Sequence, residues 1–169
     1  MVPHLDRRHR DRLDLQNHEE LPLDNLGDYP ALADLNALWQ RLSDAAPGGV
    51  AQTIDPLDIP KMLLPYMMLL DLEGERLRVR LAGTMVCEKH GGEMRGKTTD
   101  DFFQPADAAA VLQAARAVAS TRRPSLARRS YVSIDGRPWS YVRLMLPLSR
   151  GGQDVDGMIK TLDPETLNF

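Results

Sequence analysis

A hairpin pattern in the first half of the chain restricts the available folds more than any other feature. Residues 66–72 are almost wholly apolar, a Glu-Gly pair supplies a turn at 73–74, and residues 76–81 alternate strictly between arginine and apolar side chains. Side chains of a strand alternate between its two faces. The pattern therefore predicts a first strand covered on both faces and a second strand whose apolar side chains face a core: Leu77, Val79 and Leu81.

Three further strands are predicted near the C-terminus. Residues 126–134 and 139–148 flank an Asp-Gly turn signal at 135–136, and residues 155–162 follow a Gly-Gly pair at 151–152. Tight turns of this kind join antiparallel strands, so a three-strand meander is expected. An alanine-rich helix is predicted from Pro105 to about Thr121, and its small side chains allow close approach to a sheet or leave room for a ligand.

Two helices and a charged segment are predicted before the hairpin. Apolar residues recur at helical spacing from about residue 30, and a Pro-Gly-Gly run at 47–49 ends the pattern. A second, short helix is expected between Asp55 and Pro65. Residues 1–27 are rich in both charges and are predicted to form a flexible arm, which leaves residues 28–169 as a single domain. The stripe on the first helix is a candidate dimer or helix interface: Leu35, Leu38, Trp39 and Leu42.

Composition excludes several classes of protein. The 169 residues carry a formal charge of −3 and one cysteine, Cys87, so a disulfide framework or a multi-cysteine metal site is excluded and nucleic-acid binding is not expected. No apolar run is long enough to span a membrane, and no secretory signal is visible. A cytoplasmic protein without membrane or nucleic-acid partners is the expectation.

Catalytic motifs are also missing from the sequence, which contains no nucleophile elbow, phosphate-binding loop, dinucleotide fingerprint or zinc-protease helix. The best acid–base grouping is centred on Glu88, His90 and Asp100 and also includes Lys89, Glu93 and Asp101. Charged side chains on short surface helices explain it more simply. An enzyme is therefore not expected, although a small enzyme using this region is the third hypothesis. No metal site is predicted.

The order of elements and one internal motif resemble the PAS family of bacterial sensory domains. The motif is Arg80-Leu81-Ala82-Gly83-Thr84, then Gly91 and Glu93, then Gly96-Lys97, then Asp100-Asp101-Phe102-Phe103. The upstream LNALWQRL and the late MLPLS resemble the stand-alone members of that family. The resemblance covers about residues 30–163. It implies an α+β fold with a five-stranded antiparallel sheet of order 2-1-5-4-3 and helices on one face. The extra N-terminal helix would then pack on the other face or pair two subunits.

The resemblance also bears on cofactors. A haem-binding relative would carry a histidine on the long helix, and residues 105–121 contain none. A flavin-binding light sensor would carry its cysteine within an Asn-Cys-Arg stretch, whereas Cys87 lies in Met-Val-Cys-Glu-Lys. Haem and flavin are therefore disfavoured, and no other cofactor is indicated.

A regulatory role follows from the resemblance. The first hypothesis is a sensory module that binds a small molecule, a signalling protein such as a histidine kinase, or both, and transmits by contact as a homodimer. The second is a ligand-free adaptor for protein contacts. Methionines tolerate irregular space, and a few polar groups orient a ligand. The candidate pocket residues are Met68, Met85, His90, Tyr131, Tyr141, Arg143 and Met158.

Overall fold

The computed structural model describes residues 17–168. Within this range the chain forms six strands and three α-helices. The strands are β1 (Asn17–Leu21), β2 (Met67–Glu73), β3 (Arg76–Ala82), β4 (Ser125–Val132), β5 (Pro138–Leu148) and β6 (Gly157–Leu162). The helices are α1 (Pro30–Ala45), α2 (Thr84–His90) and α3 (Pro105–Thr121). No helix in this range is long and apolar enough to cross a membrane.

All six strands belong to one antiparallel sheet with the order β1-β4-β5-β6-β2-β3. The five strands from β2 onward have the predicted order 2-1-5-4-3, so that prediction is confirmed. The expected strand count was one too low, because residues 17–21 pair with β4 at the edge of the sheet. Residues 23–28 continue as a 3-10 helix. The prediction of a flexible arm therefore does not describe residues 17–27, and its first 16 residues lie outside the described range.

One face of the sheet is covered by α1 and the segment that follows it. Buried leucines of α1 pack with Val142, Leu144 and Leu146 of β5 and with Ile159 of β6. Trp39 is buried there, and its indole Nε1 donates a hydrogen bond to the carbonyl oxygen of Pro147 at 2.7 Å. The apolar stripe of α1 is thus satisfied within one chain. The residues of the candidate dimer or helix interface lie in or against this core: Leu35, Leu38, Trp39 and Leu42.

The opposite face of the sheet is covered by α2, α3 and the loop between them. Val111, Ala115 and Val118 of α3 pack with side chains of β2, β3, β5 and β6 and with Phe102 and Phe103. Both faces of the sheet are therefore covered, and α1 packs on the face opposite α3, which is one of the two arrangements that the resemblance implied. The structure has a helical layer on each side of one sheet.

Two local predictions were wrong for identifiable reasons. Leu81 is 53% exposed, because a bulge in β3 pairs Leu69 with Leu81 but Leu70 with Val79. One extra residue in a strand moves the following side chain to the other face. The predicted helix between Asp55 and Pro65 is two 3-10 helices, Pro56–Asp58 and Lys61–Tyr66, since prolines lack the backbone N–H that a continuous α-helix needs.

Candidate functional site

The candidate pocket residues lie mostly in the layer between the sheet and α3. Five of the seven are buried there. His90, at the end of α2, stacks on Trp139 with ring centroids 4.5 Å apart, and Met85 lies on α2 outside the buried cluster. The buried five are Met68, Tyr131, Tyr141, Arg143 and Met158.

The centre of this layer is tightly packed. Its cavity has a volume of about 10 Å³ and is lined by Met68, Phe102, Phe103 and Lys160 among others, which is room for about one water molecule. The Tyr141 hydroxyl donates a hydrogen bond to the Tyr131 hydroxyl at 3.1 Å. In this conformation the five buried candidates form core, and the cavity at the centre of this layer has room for nothing larger than water. His90 lines a separate pocket of about 190 Å³ together with Met94 and Phe102.

A much larger cleft, of about 510 Å³, lies between α3 and the β1–β4 edge of the sheet. Three of the six α3 residues that line it are alanines, whose short side chains leave space between the helix and the edge strands. Its volume falls within the range of about 300–1,000 Å³ that is usual for small-molecule sites. The lining residues are His18, Glu20, Leu21, Leu23, Ala110, Gln113, Ala114, Ala117, Val118, Thr121, Arg123, Pro124, Ser125, Leu126 and Arg129.

The floor of the cleft is polar and centres on Glu20. The Ser125 hydroxyl donates to Glu20 Oε2 at 2.7 Å, and Arg129 donates to Oε1 at 3.0 Å. Arg143 approaches the same Oε1 at 3.5 Å. Burial acts to raise the pKa of Glu20, but the Ser125 hydrogen bond and the charges of Arg143 and Arg129 outweigh it and hold that pKa below its usual value. Glu20 is therefore an ionised partner for two arginines.

The two arginines differ in how fully their donors are used. Arg143 is 1% exposed, and its Nη1 donates to both the carbonyl oxygen and the hydroxyl of Ser125, at 2.7 and 2.8 Å. Arg129 is 3% exposed and lines the cleft, yet among residues 17–168 its one recorded hydrogen bond goes to Glu20. A guanidinium has five N–H donors, so most of the donors of Arg129 have no partner within the described range.

A third cation lies deeper in the same layer. Lys160 is buried, and its ammonium lies 5.3 Å from the ring centre of Phe103 and 5.6 Å from that of Tyr141. Burial, with the charges of Arg143 and Arg129, lowers the pKa of Lys160 well below its usual value. Burial, with the charge of Arg129, likewise lowers the pKa of Arg143 to about 10. The interior beside the cleft therefore disfavours additional positive charge.

Strand β1 supplies one wall of the cleft and is held by long-range contacts. His18 Nε2 lies 2.6 Å from Asp107 Oδ1 at the start of α3, and the His18 ring lies parallel to that of Tyr131 with centroids 6.5 Å apart. On the opposite side of the strand, Glu19 pairs with Arg128 at 3.4 Å. The contacts of His18 and Glu20 link β1 to the elements that form the rest of the cleft.

A second groove, of about 400 Å³, opens on the other face of the sheet. It lies between the 53–65 segment and the ends of β2 and β3, and its lining is largely apolar. The bulge in β3 places Leu81 there, beside Met67 and Leu69. Helix α1 contributes no residue to this groove. The helix therefore leaves this part of the apolar face uncovered.

The comparison with protein-family models decides the family. A model described as a PAS domain matches residues 28–160. The chain belongs to this family. No curated protein and no solved structure matches it. A sensory or regulatory role is the general property that comes with a PAS domain.

The alternative acid–base region of this PAS domain is dispersed. Glu88 and Asp100 are exposed, and no recorded hydrogen bond or ion pair joins them to His90 within the described range. Burial, with the charge of Lys160, lowers the pKa of His90 to about 4. Among residues 17–168, no three His, Cys, Asp or Glu side chains gather as a metal ion would require.

Sequence reasoning missed three residues of the candidate site: Glu20, Arg129 and Lys160. Glu20 falls within the predicted arm. Arg129 belongs to a pair of adjacent arginines, Arg128-Arg129, for which a solvated strand face is the simpler interpretation of the sequence. The signal for Arg129 was its alternation with Tyr131, since residues two apart on a strand share a face. By the same rule, Lys160 lies on the same face of its strand as Met158, which was one of the candidate pocket residues. No local signal in this PAS domain indicates that Glu20 meets both arginines.

Proposed function

We propose that this PAS domain is a regulatory module that binds a small molecule in the cleft between α3 and the β1–β4 edge, and that passes the signal to a protein partner by contact. The observation that carries the proposal is the combination of a 510 Å³ cleft with a buried arginine, Arg129, that lines it with unused donors. A concave space with a few oriented polar groups is typical of small-molecule sites.

A fragment screen followed by methyl NMR tests this proposal. The methyl groups of Ala110, Ala114 and Ala117 line the cleft, so a ligand bound there is expected to shift their signals. Native mass spectrometry with a full absorbance scan of freshly purified protein would show any molecule that is already bound. Shifts confined to other parts of the protein, or none from a diverse library, would count against a ligand in the cleft.

Paired variants of α3 sharpen the test. Ala114→Leu projects a larger side chain into the cleft, whereas Ala109→Leu adds the same atoms at an exposed position of the same helix. Ligand affinity is expected to fall by about tenfold or more for the first variant, since overfilling a fitted space costs about 1–3 kcal/mol. Affinity should not change for the second variant.

A second candidate function, that of a protein-binding adaptor, is favoured by the apolar groove on the other face. Leu81 lines it and is half exposed, and uncovered apolar surface often marks a contact site. A purified histidine kinase titrated onto the domain is the direct test. Leu81→Asp should abolish its binding, while Leu57→Asp, at an exposed site outside the groove, should leave it intact. Equal binding by both variants would exclude the groove as the contact site.

The homodimer is proposed separately. Because the stripe of α1 is buried within the chain, a dimer would have to use another surface, and the apolar groove is the candidate. Light scattering of the wild-type protein and of Leu81→Asp tests this. A dimeric wild type with a monomeric variant supports the proposal, and a monomeric wild type overturns it.

A further inference from the structure

The contacts of Arg129 indicate which class of molecule the cleft accepts. We infer that its ligand is a small anion whose acid group binds Arg129 in competition with Glu20, and that this binding loosens β1 from the sheet. The inference rests on the proposed function, since it assigns the ligand class and the response of the same cleft. It is carried by the geometry of three side chains: Glu20, Ser125 and Arg129.

Arg129 is positioned as an anion receptor. Its side chain is almost wholly buried yet lines the cleft, and its one recorded partner among the described residues is Glu20. A guanidinium offers donors in a planar fork that matches a carboxylate or a phosphate with two parallel hydrogen bonds. Glu20 uses one of these donors, so an incoming acid group can use more of them than Glu20 does.

Glu20 is positioned as a removable stand-in for that acid group. Its side chain is 58% exposed, although the guanidiniums of Arg129 and Arg143 that it contacts are buried. Because the carboxylate is half exposed, water can solvate it once it leaves the arginines, and the main cost of its departure is the unpaired charge left on the buried guanidiniums. A buried guanidinium cannot leave its place, so an anion that replaces Glu20 keeps it paired.

The walls of the cleft define the rest of the ligand. Ala110, Ala114 and Ala117 form one side, and Leu21 and Leu23 form part of the other. A compact apolar body attached to the acid group would fit this space. The ligand class is therefore a short organic acid or an organic phosphate, and the two share the same anionic head.

Loss of the Glu20 contact has a direct consequence for β1. Glu20 ties this five-residue edge strand to both β4 and β5 through Ser125, Arg129 and Arg143. Among residues 17–168 the strand pairs with β4 alone, and its other side-chain ties are those of His18 with Asp107 and of Glu19 with Arg128. An anion that displaces Glu20 removes this link and weakens the attachment of the strand.

Three probes test the ligand class by calorimetric titration into the whole protein: hexanoate, hexyl phosphate and hexanamide. At least one of the two anions is expected to bind tenfold or more tightly than the neutral amide, and their relative affinities distinguish a carboxylate from a phosphate head. Arg129→Gln should weaken anion binding by about 10-fold to 100-fold, since a charge-assisted hydrogen bond is lost. The control is Arg128→Gln, which changes the preceding residue of β4, whose side chain lies on the opposite face of the sheet. It should leave anion binding unchanged.

A gain in affinity provides a test that misfolding cannot imitate. Glu20→Gln removes the competing carboxylate and should tighten anion binding by about threefold or more. Glu19→Gln, which pairs with Arg128 on the other side of the strand, should have no effect. Weaker anion binding by Glu20→Gln would overturn the competition between Glu20 and the ligand.

Hydrogen exchange reports on β1 itself. At saturating hexanoate or hexyl phosphate, the backbone amides of residues 18–21 should exchange several times faster, while those of β6 stay protected. Slower exchange in β1 would overturn the inference. Hexanamide binding as tightly as both anions would also overturn it but leave the proposed function standing, whereas no binding by any probe together with a blank fragment screen would overturn both.

Discussion

The two faces of the sheet are built from different chemistry. The face under α1 buries aliphatic side chains and one tryptophan, and its indole N–H is satisfied by Pro147. The face under α3 buries tyrosines, Arg129, Arg143 and Lys160. Buried charge costs free energy unless it is paired, whereas aliphatic packing stabilises without such a cost. The first face therefore mainly stabilises the domain, and the second contains the charged groups on which the proposed ligand binding depends.

The largest expected effect tests the stabilising role of the α1 face. Trp39→Ala removes a buried indole and its hydrogen bond to Pro147, so the free energy of unfolding should fall by about 3–5 kcal/mol. Leu57→Ala, at a position that is almost fully exposed, is the control and should change little. Urea unfolding measures both. A small effect of Trp39→Ala would break the proposed division between the faces.

The next test concerns the point at which the layers of the two faces touch. Gly83 lies before α2, and an added Cβ would stand 2.4 Å from the carbonyl oxygen of Pro65, in the 3-10 helix that packs on the α1 side. Gly83→Ala is therefore expected to destabilise the domain by about 2–3 kcal/mol. Gly27→Ala, where an added Cβ meets nothing within 4 Å, should be close to neutral. Equal stability of the two variants in thermal melts would contradict the close contact.

A stabilising substitution would show the cost of charge on the α3 face. Lys160→Met replaces a buried cation by an apolar side chain of similar length, and the free energy of unfolding at pH 7 should rise by about 1–2 kcal/mol. The exposed Lys97→Met is the control. Because the pKa of Lys160 is lowered in the folded state, the unfolded chain binds more protons below the ordinary lysine pKa.

The stability of the wild type should therefore rise with pH towards that value, and the rise should be smaller in Lys160→Met. Guanidinium unfolding at pH 7 and pH 9 measures the difference. A variant that is less stable than the wild type would mean that the ammonium makes a favourable contribution on this face.

The smallest expected effect is an acid dependence, and it too belongs to the α3 face. The pKa of His90 is lowered to about 4 by burial and by Lys160, so the unfolded chain takes up a proton near pH 6.5 and the folded chain does not. Stability should fall as the pH falls from about 6.5 towards 4. His90→Phe keeps the stacking on Trp139 and should flatten this part of the profile. An unchanged profile in unfolding curves would exclude His90 as the cause.

The sequence was a good guide wherever local rules decide the structure. The turn signals at 73–74 and 135–136 lie between paired strands, and Asp55 accepts a hydrogen bond from the backbone N–H of Leu57, as a cap does. The predicted α3 has the bounds Pro105–Thr121. These features depend on residues that are close in the chain, so one sequence suffices to predict them.

The rest depends on partners that are distant in the chain. Strand β1 has no alternating apolar pattern by which it could be predicted. The partners of its Glu20, Arg129 and Arg143, lie 109 and 123 residues away in the chain, so no local pattern indicates them. The exposure of Leu81 follows from the pairing of β2 with β3, which residues 76–81 do not reveal by themselves. The cleft depends on both local and distant residues. The alanine-rich helix that lines it was predicted from the local sequence, whereas the contacts of Glu20 with the two arginines were not.

The edge position of β1 has one more consequence. An edge strand leaves a row of backbone N–H and C=O groups on its neighbour when it departs, and such a row accepts an extended segment of another protein by strand addition. Departure of β1 would expose this row on β4. Displacement of Glu20 by a ligand would in this way allow a peptide of a partner protein to bind to the edge of β4. The fraction of β4 edges bound would depend on the concentration of that peptide.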